Sequence, residues 1–478
     1  MRKRLASKSL ELRQLRPINS NFGVIATSHG KYNEYGDSWY IALSGGEQVS
    51  DGTREIRLSL ERKTGSRQVV SPNDLMLVTG GAGFIGSHTV DALLERGYRV
   101  RILDSLQPRV HPKGKPEWVP SEAEFIQGDV ANPADLARAL ESVDAVFHLA
   151  AYQDYLPEFS KFIHTNTESS ALLFELIVSD PKRFPVKKIV FASSQAVCGE
   201  GRYVCTGGRD VAHTEYDRQS IRPKHLRPEF TDPAGQAHGV TLPPSRSLEQ
   251  LERGDWEIRC PICGLEMEPL LIDESTANPH TAYGISKYAI EKLANQLGPR
   301  YGIATVCMRY TYVQGPRNSF HNAYSGIARR FAMRIMHGMP PVVYEDGNQL
   351  RDYVNVRDIA RANVLVMEKD EANYQVFNVG GGRAVSVLEF ARIMLDAFGS
   401  KMEPLVPGEF RVGDTRHTVS DISPLRRLGW SPAVPVEQNV QQYIEWLGTQ
   451  KVSEEFLLEA EHVMRQSGVV RTVGCAAS

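Results

Sequence analysis

Short apolar runs alternate with helical stretches through the middle of the chain. "LMLVT", which begins at Leu75, has the length and composition of a buried strand, and the following "FIGSHTVDALLERG" predicts a helix that ends at Gly97. The runs "YRVRILD", "EFIQGDV", "DAVFHLAA" and "VKKIVFASS" predict four more strands. Strands that alternate with helices form a parallel sheet whose ligands bind at the carboxyl ends of the strands. We therefore expect an α/β protein with a Rossmann-type, doubly wound parallel sheet.

The turn between the first strand and the first helix is rich in glycine. Gly80, Gly83 and Gly86 have the spacing that lets a pyrophosphate approach the backbone at the positive end of a helix. Asp104 ends the second strand, 18 residues past Gly86, where a carboxylate can hold ribose hydroxyls and repel a 2′-phosphate. This arrangement favours NAD over NADP, although Arg109 nearby could serve a phosphate. The alternative is a glycine turn with a structural role alone.

Further candidate cofactor-binding residues follow the next strands. Asp129 ends the third run and could face an adenine, and Ala150 and Ala151, in the fourth, are small enough to pass under a cofactor. The fifth run closes on two serines. All of these positions fall at one edge of the predicted sheet.

Tyr283 and Lys287 in "YGISK" are four residues apart, so the phenol and the ammonium share one face of a helix. The field of the ammonium lowers the pKa of the phenol, which lets Tyr283 act as a base near neutral pH. Lys287 can also hydrogen-bond a nicotinamide ribose, and Ser194 can orient the reacting oxygen. A Tyr-x-x-x-Lys pair by itself is usually an exposed pair of no significance. Here the glycine turn and the serine pair favour the catalytic interpretation.

Five motifs together carry a resemblance to a known family. "TGGAGFIG", "FASSQAVCG", "YGISK", "RYTYVQGPR" and "RDYVNVRDIARA" resemble the motifs of the extended short-chain dehydrogenase/reductases, in their nucleotide-sugar epimerase and dehydratase group. The resemblance covers residues 75–447 apart from one insertion. It implies NAD as the cofactor and a nucleotide-diphosphate sugar as the substrate.

The resemblance also implies roles for individual residues. The catalytic set is Ser194, Tyr283 and Lys287. The cofactor-binding set is Gly80, Gly83, Phe84, Ile85, Gly86, Asp104, Asp129, Val130, Ala150, Ala151, Tyr283 and Lys287. The substrate-binding set is Ser194, Tyr312, Arg351 and Arg411. Guanidinium groups suit phosphate oxygens, and Tyr312 stands where the family pattern often has an asparagine that touches the substrate diphosphate.

The two residues after Ser194 narrow the reaction. Sugar 4,6-dehydratases of this group typically carry Asp-Glu there, whereas this chain carries Gln195 and Ala196, neither of which exchanges a proton usefully. We therefore expect epimerisation at C4 through a transient 4-keto sugar. One alternative is a dehydratase or oxidoreductase on the same substrate class, in which another acid such as Asp154 substitutes. The other is an NAD-bound binding or regulatory protein.

An insertion over residues 200–272 interrupts the resemblance and contains "CPICG". Cys260-x-x-Cys263 flanked by proline and glycine is half of a zinc ribbon, with Cys205 as a third candidate ligand and His213 as a fourth. The alternative is free thiols in an insert ordered by packing alone, so zinc is one of two hypotheses and no residue is assigned as a metal ligand. The insertion resembles those of dTDP-L-rhamnose 4-epimerases, which favours a deoxysugar nucleotide as substrate.

Composition leaves this picture unchanged. The chain of 478 residues is 41% hydrophobic and 23% charged, with a net charge of −2, which gives no general attraction to nucleic acid or to an anionic membrane. No apolar run is long enough to span a membrane, and six scattered cysteines favour a reducing compartment. We expect a cytoplasmic enzyme without membrane or nucleic-acid partners that forms a homodimer.

The predicted domains follow from these boundaries. Residues 1–74 form an N-terminal extension outside the βαβ pattern, and residues 75–308 form the NAD-binding domain that includes the insertion. Residues 309–450 form a smaller α/β substrate lobe, and residues 451–478 form a C-terminal tail. The opening "MRKRLASKSLELRQLR" is basic and poor in acids, which fits a targeting peptide and equally an upstream start codon or a lineage-specific extension.

Overall fold

The structure is a computed structural model, and it describes residues 41–43, 58–60, 70–154, 157–205, 229–231, 237–319, 326–450, 461–462 and 464–474. Contacts divide the chain into two units, residues 1–66 and residues 67–478. In the first unit the described residues form one antiparallel pair, β1 (Ile41–Leu43) and β2 (Leu58–Leu60). The second unit contains all of the predicted site residues.

Seven parallel strands form the central sheet of the second unit. From one edge to the other they are β5 (Glu124–Gln127), β4 (Arg99–Asp104), β3 (Leu75–Thr79), β6 (Ala145–His148), β7 (Lys188–Ser194), β12 (Ala304–Tyr310) and β15 (Gln375–Val379). The chain order reverses between β3 and β6, which is the switch point at which a doubly wound sheet binds its ligand. The predicted Rossmann-type α/β fold is confirmed.

Two of the predicted strands end earlier than their apolar runs. β5 ends at Gln127 and β6 ends at His148. Asp129, Ala150 and Ala151 therefore lie in the loops that follow the strands, at the same edge of the sheet as the glycine turn. Loops at this edge carry binding groups without interrupting the hydrogen bonds of the sheet.

Helices cover both faces of the sheet. They are α1 (Phe84–Glu95), α2 (Pro133–Leu140), α3 (Phe159–Phe162), a π-helix (Ile163–Glu168), α4 (Ser169–Ser179), α6 (Ala282–Tyr301) and α8 (Val356–Glu368). On one face, Val90 of α1 and Ile359 of α8 belong to the same buried cluster as Val78 of β3. On the other face, Leu173 of α4 and Ile290 of α6 pack in a second cluster. Alternate strand residues thus reach two separate cores, as a sheet buried on both sides requires.

The helix that carries Tyr283 and Lys287 has a capping residue at each end. Thr281 lies just before α6, and its side chain accepts a hydrogen bond of 3.0 Å from the Gly284 amide. Gly302 ends the helix in the left-handed conformation, which glycine adopts without steric cost. The position of the first turn of α6 is therefore fixed by local sequence.

The smaller lobe is built on a three-stranded sheet of β13 (Tyr312–Gln314), β14 (Leu350–Asn355) and β16 (Ala384–Ser386). β14 lies in the centre, parallel to β13 and antiparallel to β16. The associated helices are α7 (Ile327–Met336), α9 (Val387–Ala397) and α11 (Val436–Gly448), whereas α10 (Ser423–Arg427) packs through Leu425 in the core of the central sheet. Phe331, Tyr353 and Phe390 are buried together in this lobe, and the Tyr353 and Phe390 rings stack at 4.1 Å. The lobe therefore has its own hydrophobic core.

The insertion forms a separate four-stranded antiparallel sheet with a small core. Its strands, in order, are β11 (Met267–Leu270), β8 (Arg202–Cys205), β10 (Ala237–Thr241) and β9 (Glu229–Thr231), and α5 (Leu248–Glu252) lies beyond β10 in the chain. Two short 3-10 helices cover Gln195–Cys198 and Asp370–Ala372. The last strand, β18 (Val470–Thr472), pairs with β17 (Glu409–Arg411), so the C-terminal segment lies beside Arg411. None of the helices that the structure describes is long and apolar enough to span a membrane.

Candidate active site

The glycine turn after β3 leaves no room for side chains. A Cβ atom at Gly86 would lie 2.1 Å from the Gly80 carbonyl oxygen, and one at Gly80, where φ is +70°, would lie 2.9 Å from the backbone of Ala150. Gly83 precedes α1 without a side-chain cap, so the first amides of this helix point toward the loop. An open cradle at the positive end of a helix fits a pyrophosphate. The residues present therefore fit the dinucleotide that the sequence predicts.

Asp104 links the glycine turn to the end of β4. Its carboxylate is almost fully buried and accepts hydrogen bonds from the amides of Ala82 at 3.0 Å and Leu106 at 2.9 Å. The side chain thus lies between the turn and the loop after β4, which is where a carboxylate can reach the ribose of a bound dinucleotide.

Arg109 and Asp154 form an ion pair with each other. From the sequence, Arg109 was a candidate partner for a 2′-phosphate, and Asp154 was a candidate for the second acid of a dehydratase. In the structure the Asp154 side chain is buried and engaged by this guanidinium. Each of the two side chains therefore has a partner within the protein, which weakens both alternative roles.

The remaining predicted cofactor-binding residues lie at the same edge of the sheet. Asp129 is exposed, and its carboxylate accepts a hydrogen bond of 2.9 Å from the Ala131 amide. The Ala150 amide donates to the hydroxyl of Thr79 at 3.2 Å. Phe84 and Ile85 are half-buried in the first turn of α1, Val130 is buried, and Ala151 is exposed.

Ser194 is the member of the serine pair that faces the site. The Ser193 hydroxyl donates to the carboxylate of Glu291 at 2.5 Å, and Glu291 is in turn paired with Arg309 inside the protein. Ser194, the last residue of β7, is half-buried, and its hydroxyl accepts a hydrogen bond of 3.1 Å from the Ala196 amide. Ser193 is thus committed to the core, whereas Ser194 lies where β7 ends.

The first turn of α6 lies directly against the segment that follows Ser194. A Cβ atom at Gly284 would lie 2.4 Å from the carbonyl oxygen of Ala196. Only glycine allows this approach, which brings Tyr283 beside the residues that follow β7. The structure therefore brings the predicted catalytic residues to one place.

Lys287 is the buried member of its pair. Its ammonium donates to the Ala192 carbonyl at 2.8 Å and lies 5.8 Å from the centre of the Tyr283 ring. Burial lowers the pKa of Lys287 to about 7. Burial, and then the nearby Lys287, lower the pKa of His148 to about 3. The site therefore places a single desolvated ammonium between the ends of β6 and β7.

The same helix contains a second pair with identical spacing. Tyr288 and Lys292 are also four residues apart, and the Lys292 ammonium lies 4.7 Å from the Tyr288 ring centre. Lys292 is exposed, however, whereas Lys287 is buried. Spacing alone does not separate the two pairs; burial against β7 does.

Asn166 supports the site and was not predicted from the sequence. It lies in the π-helix, where its side chain accepts a hydrogen bond from the Tyr152 amide at 2.7 Å and donates to the hydroxyl of Ser286 at 3.0 Å. Asn166 thus connects the loop after β6 to the residue beside Lys287. An asparagine inside a helical run is a poor helix former, which was the one available signal.

Apart from Ser194, the predicted substrate-binding residues lie in the smaller lobe, where they are close to one segment, residues 411–418. The Tyr312 hydroxyl lies 3.2 Å from that of Thr418, and the Arg351 guanidinium lies 5.1 Å from the Tyr312 ring. Arg351 donates to the carbonyls of Thr415 at 2.7 Å and Arg416 at 2.8 Å, so it also holds this segment in place. Arg411 pairs with Asp414 at 2.7 Å.

Gln195 is buried and turned toward the smaller lobe. Its amide nitrogen donates to the hydroxyl of Ser420 at 3.1 Å. An amide and the methyl group of Ala196 supply no titratable proton beside Ser194. The positions at which a 4,6-dehydratase would carry an acid therefore hold none.

Comparisons with known proteins agree with this geometry. Residues 76–221 and 264–380 match the NAD dependent epimerase/dehydratase family, and the gap between them falls inside the insertion. The chain is 29% identical over 379 residues to a dTDP-L-rhamnose 4-epimerase of Burkholderia thailandensis, across 78% of this chain and 94% of that protein.

Two solved structures show the same fold. A UDP-glucose 4-epimerase of Thermotoga maritima, determined with UDP-glucose, has a TM-score of 0.58 and 27% identity over 78% of this chain and 98% of that chain. A UDP-glucose 4-epimerase of Thermus thermophilus, in complex with NAD, has a TM-score of 0.56 and 26% identity over 79% of this chain and 100% of that chain.

The close approach at Gly284 can be tested by substitution. In Gly284→Ala the added methyl group meets a backbone oxygen that cannot rotate away, so we expect a loss of roughly 1–3 kcal/mol in the free energy of unfolding measured in urea. Gly448→Ala in α11 is the control, because no atom lies within 4 Å of the added Cβ. Equal stability of the two variants would contradict the packing described here.

The buried ammonium predicts a pH dependence of stability. Lys287 has a pKa of about 7 in the folded chain and an ordinary value of 10.5, so between these values the unfolded chain binds more protons. Linkage then makes the folded protein gain stability as the pH rises, by roughly 2 kcal/mol between pH 7 and pH 9. We expect this gain in ligand-free wild type relative to Lys287→Met, measured by urea unfolding. Parallel pH curves for the two proteins would show that the ammonium is not desolvated.

Proposed function

The chain belongs to the NAD-dependent epimerase/dehydratase family, and from this premise we propose that it catalyses the epimerisation of a nucleotide-diphosphate sugar at C4. The proposal is based on the combination of Tyr283, the buried Lys287 and Ser194, together with the absence of an acid in the two residues that follow Ser194. This set suffices to move a proton on and off a hydroxyl group, and it lacks the second acid that removal of water requires.

The named relatives support the choice of reaction. The Burkholderia thailandensis protein is a dTDP-L-rhamnose 4-epimerase, and the two solved structures are UDP-glucose 4-epimerases. All three names describe inversion at C4 of a sugar attached to a nucleotide. The substrates differ in nucleotide and in sugar, so the relatives support the substrate class rather than one compound.

The residues of the sheet edge would hold the cofactor. We assign the pyrophosphate to the turn of Gly80, Gly83 and Gly86, and the ribose to Asp104, whose negative charge favours NAD over NADP. The chemistry that NAD supplies when bound is reversible hydride exchange with the sugar carbon. Asp129 and the small residues Ala150 and Ala151 would line the rest of the dinucleotide path.

The chain's own residues handle the proton. We propose that the Tyr283 phenol oxygen removes the proton from the C4 hydroxyl of the sugar. The phenol later returns this proton to the sugar oxygen at C4. The Lys287 ammonium, held on the Ala192 carbonyl, stabilises the phenolate form of Tyr283. The Ser194 hydroxyl would orient the sugar oxygen. Gln195 and Ala196 offer no proton, so the carbons next to C4 keep their hydrogen atoms.

The substrate diphosphate would lie against the smaller lobe. We assign the diphosphate to Tyr312, Arg351 and Arg411. Arg351 also anchors the segment of residues 411–418, because it donates to the carbonyls of Thr415 and Arg416. The relative from Burkholderia thailandensis favours a dTDP-linked deoxysugar.

The homodimer and the cytoplasmic location stay predictions.

A dehydratase is the weaker candidate. Its second acid would have to come from Asp154, and this carboxylate is buried against Arg109. To act as the second acid, this carboxylate would have to leave its ion pair with the guanidinium. The geometry therefore gives no support to elimination of water.

The proposal is tested by incubating the purified protein with dTDP-, UDP- and GDP-linked sugars and identifying the products by NMR and mass. We expect the C4 epimer of at least one of them. In Tyr283→Phe the turnover should drop by at least ~10²-fold while the NAD content of the purified protein is unchanged, because the ring remains and the proton acceptor is lost.

Tyr288→Phe is the matched control, since it removes the same hydroxyl from the second Tyr-x-x-x-Lys pair of the same helix. It should retain nearly full turnover. A product that has lost water, or equal losses in the two variants, would contradict the proposal.

A further inference from the structure

The insertion brings four metal-binding side chains together. The ligand atoms of Cys205, His238, Cys260 and Cys263 all lie within 4.8 Å of one another. The Cys205 and Cys263 sulfurs are 3.5 Å apart, and His238 Nδ1 lies 3.3 Å from the Cys205 sulfur and 3.6 Å from the Cys260 sulfur. Four such ligands on a tetrahedral zinc ion are roughly 3.5–3.8 Å apart, given Zn–S of about 2.3 Å and Zn–N of about 2.0 Å. The sulfurs are too far apart for a disulfide, which needs about 2.05 Å.

Three separate segments deliver these ligands. Cys205 ends β8, and His238 lies on β10, which pairs antiparallel with β8. Cys260 and Cys263 lie in a tight turn in which the Gly264 amide donates to the Cys260 carbonyl at 2.9 Å, with Gly264 at a φ of +72°. A turn of this kind lets both cysteines of a Cys-x-x-Cys motif face one point. His213, the fourth ligand suggested by the sequence, lies outside the described residues.

The part of the insertion that the structure describes has a small apolar core. Its buried apolar cluster consists of Tyr203, Cys205, Ile258, Cys260 and Met267, so two of its five members are themselves candidate ligands. A core of this size does not stabilise a fold by hydrophobic burial alone, and small modules commonly use a metal instead. We propose that Cys205, His238, Cys260 and Cys263 bind one structural zinc ion. Four protein ligands leave no open position, which distinguishes such a site from a catalytic one.

The residues around this zinc centre connect it to the segment that carries the predicted substrate-binding groups. Glu257, three residues before Cys260, forms an ion pair with the fully buried Arg416, and its carboxylate lies 3.4 Å from His417 Nε2. On β8, the Tyr203 hydroxyl accepts a hydrogen bond of 3.1 Å from the His417 amide. Both contacts come from residues that lie within three positions of a metal ligand.

A second set of contacts from the insertion holds the same segment. Arg246, which lies between His238 and Cys260 in the chain, donates to the Asp414 carbonyl at 2.8 Å. Glu200 accepts a hydrogen bond of 2.7 Å from the Arg416 amide. The carbonyls of this segment then receive Arg351, as described above. We infer that the zinc centre positions the substrate side of the active site, and this second part of the inference rests on the proposed function.

Zinc binding is tested on the full chain without reference to activity. We expect elemental analysis to give about one zinc per wild-type chain and to give none for Cys260→Ala. Cys307→Ala is the control, because Cys307 is also a buried cysteine but lies in β12, outside the cluster. It should keep its zinc.

A measurement on the wild type covers the case in which Cys260→Ala does not fold. Cys263 is exposed, yet as a zinc ligand it should react with iodoacetamide at least ~10-fold more slowly before a chelator is added than after, because the thiolate is the reactive form and the metal occupies it. Absence of zinc from the wild type, or alkylation of Cys263 at the same rate with and without chelator, would overturn the proposal.

The positioning role is tested with Cys263→Ser, which changes the exposed ligand. We expect the KM for the nucleotide sugar to rise at least ~10-fold, with kcat and bound NAD changed less than twofold. The reason is that residues 411–418 move, whereas the NAD-binding residues at the carboxyl ends of the strands do not. An unchanged KM in a zinc-free variant would overturn the positioning role. If the wild type contains zinc but epimerises no nucleotide sugar, the proposed function fails and the metal centre stands.

Discussion

The candidate active site depends on how closely α6 lies against the end of β7. The backbone of Gly284 meets the Ala196 carbonyl at a distance that no side chain permits, and this contact sets the depth of the whole helix. One turn later, the same depth buries Lys287 and points its ammonium at the Ala192 carbonyl. Tyr283 then lies beside the residues that follow Ser194. A shift of α6 away from the sheet would hydrate the ammonium and separate the proton acceptor from the hydroxyl that orients the substrate.

A second constraint comes from charges buried between the insertion and the smaller lobe. Arg416 is fully buried, and its guanidinium contacts Glu345 at 3.0 Å and Asp346 at 2.6 Å as well as Glu257 of the insertion. Removing one partner from such a network leaves an uncompensated charge in the interior, at a cost of about 3–5 kcal/mol. The geometry of the segment around Arg416 is therefore tied to the geometry of the insertion. The insertion, which is an addition to the Rossmann domain, therefore contacts the segment of residues 411–418 that contains Arg411.

The sequence predicted what local pattern encodes and missed what long-range contact creates. The sheet, the glycine turn and the position of Asp104 follow from strand and helix periodicity, so they were accessible without a structure. The Tyr-x-x-x-Lys spacing occurs twice on α6, and burial alone distinguishes the two pairs. His238 was missed because it lies 33 residues from Cys205 in the chain and reaches it only through strand pairing. Arg351 was predicted as a phosphate ligand, whereas its contacts with backbone carbonyls required the folded lobe.

The central claim is that one proton acceptor and one hydride exchange suffice for inversion at C4. The most direct test is to run the reaction in deuterium oxide and examine the recovered nucleotide sugar by NMR. We predict a C4 epimer that keeps protium at C4 and at C5, because the hydride returns to the same carbon and no side chain exchanges the C5 proton. Deuterium at C5 would contradict it, since that label requires an acid–base group that the residues after Ser194 do not provide.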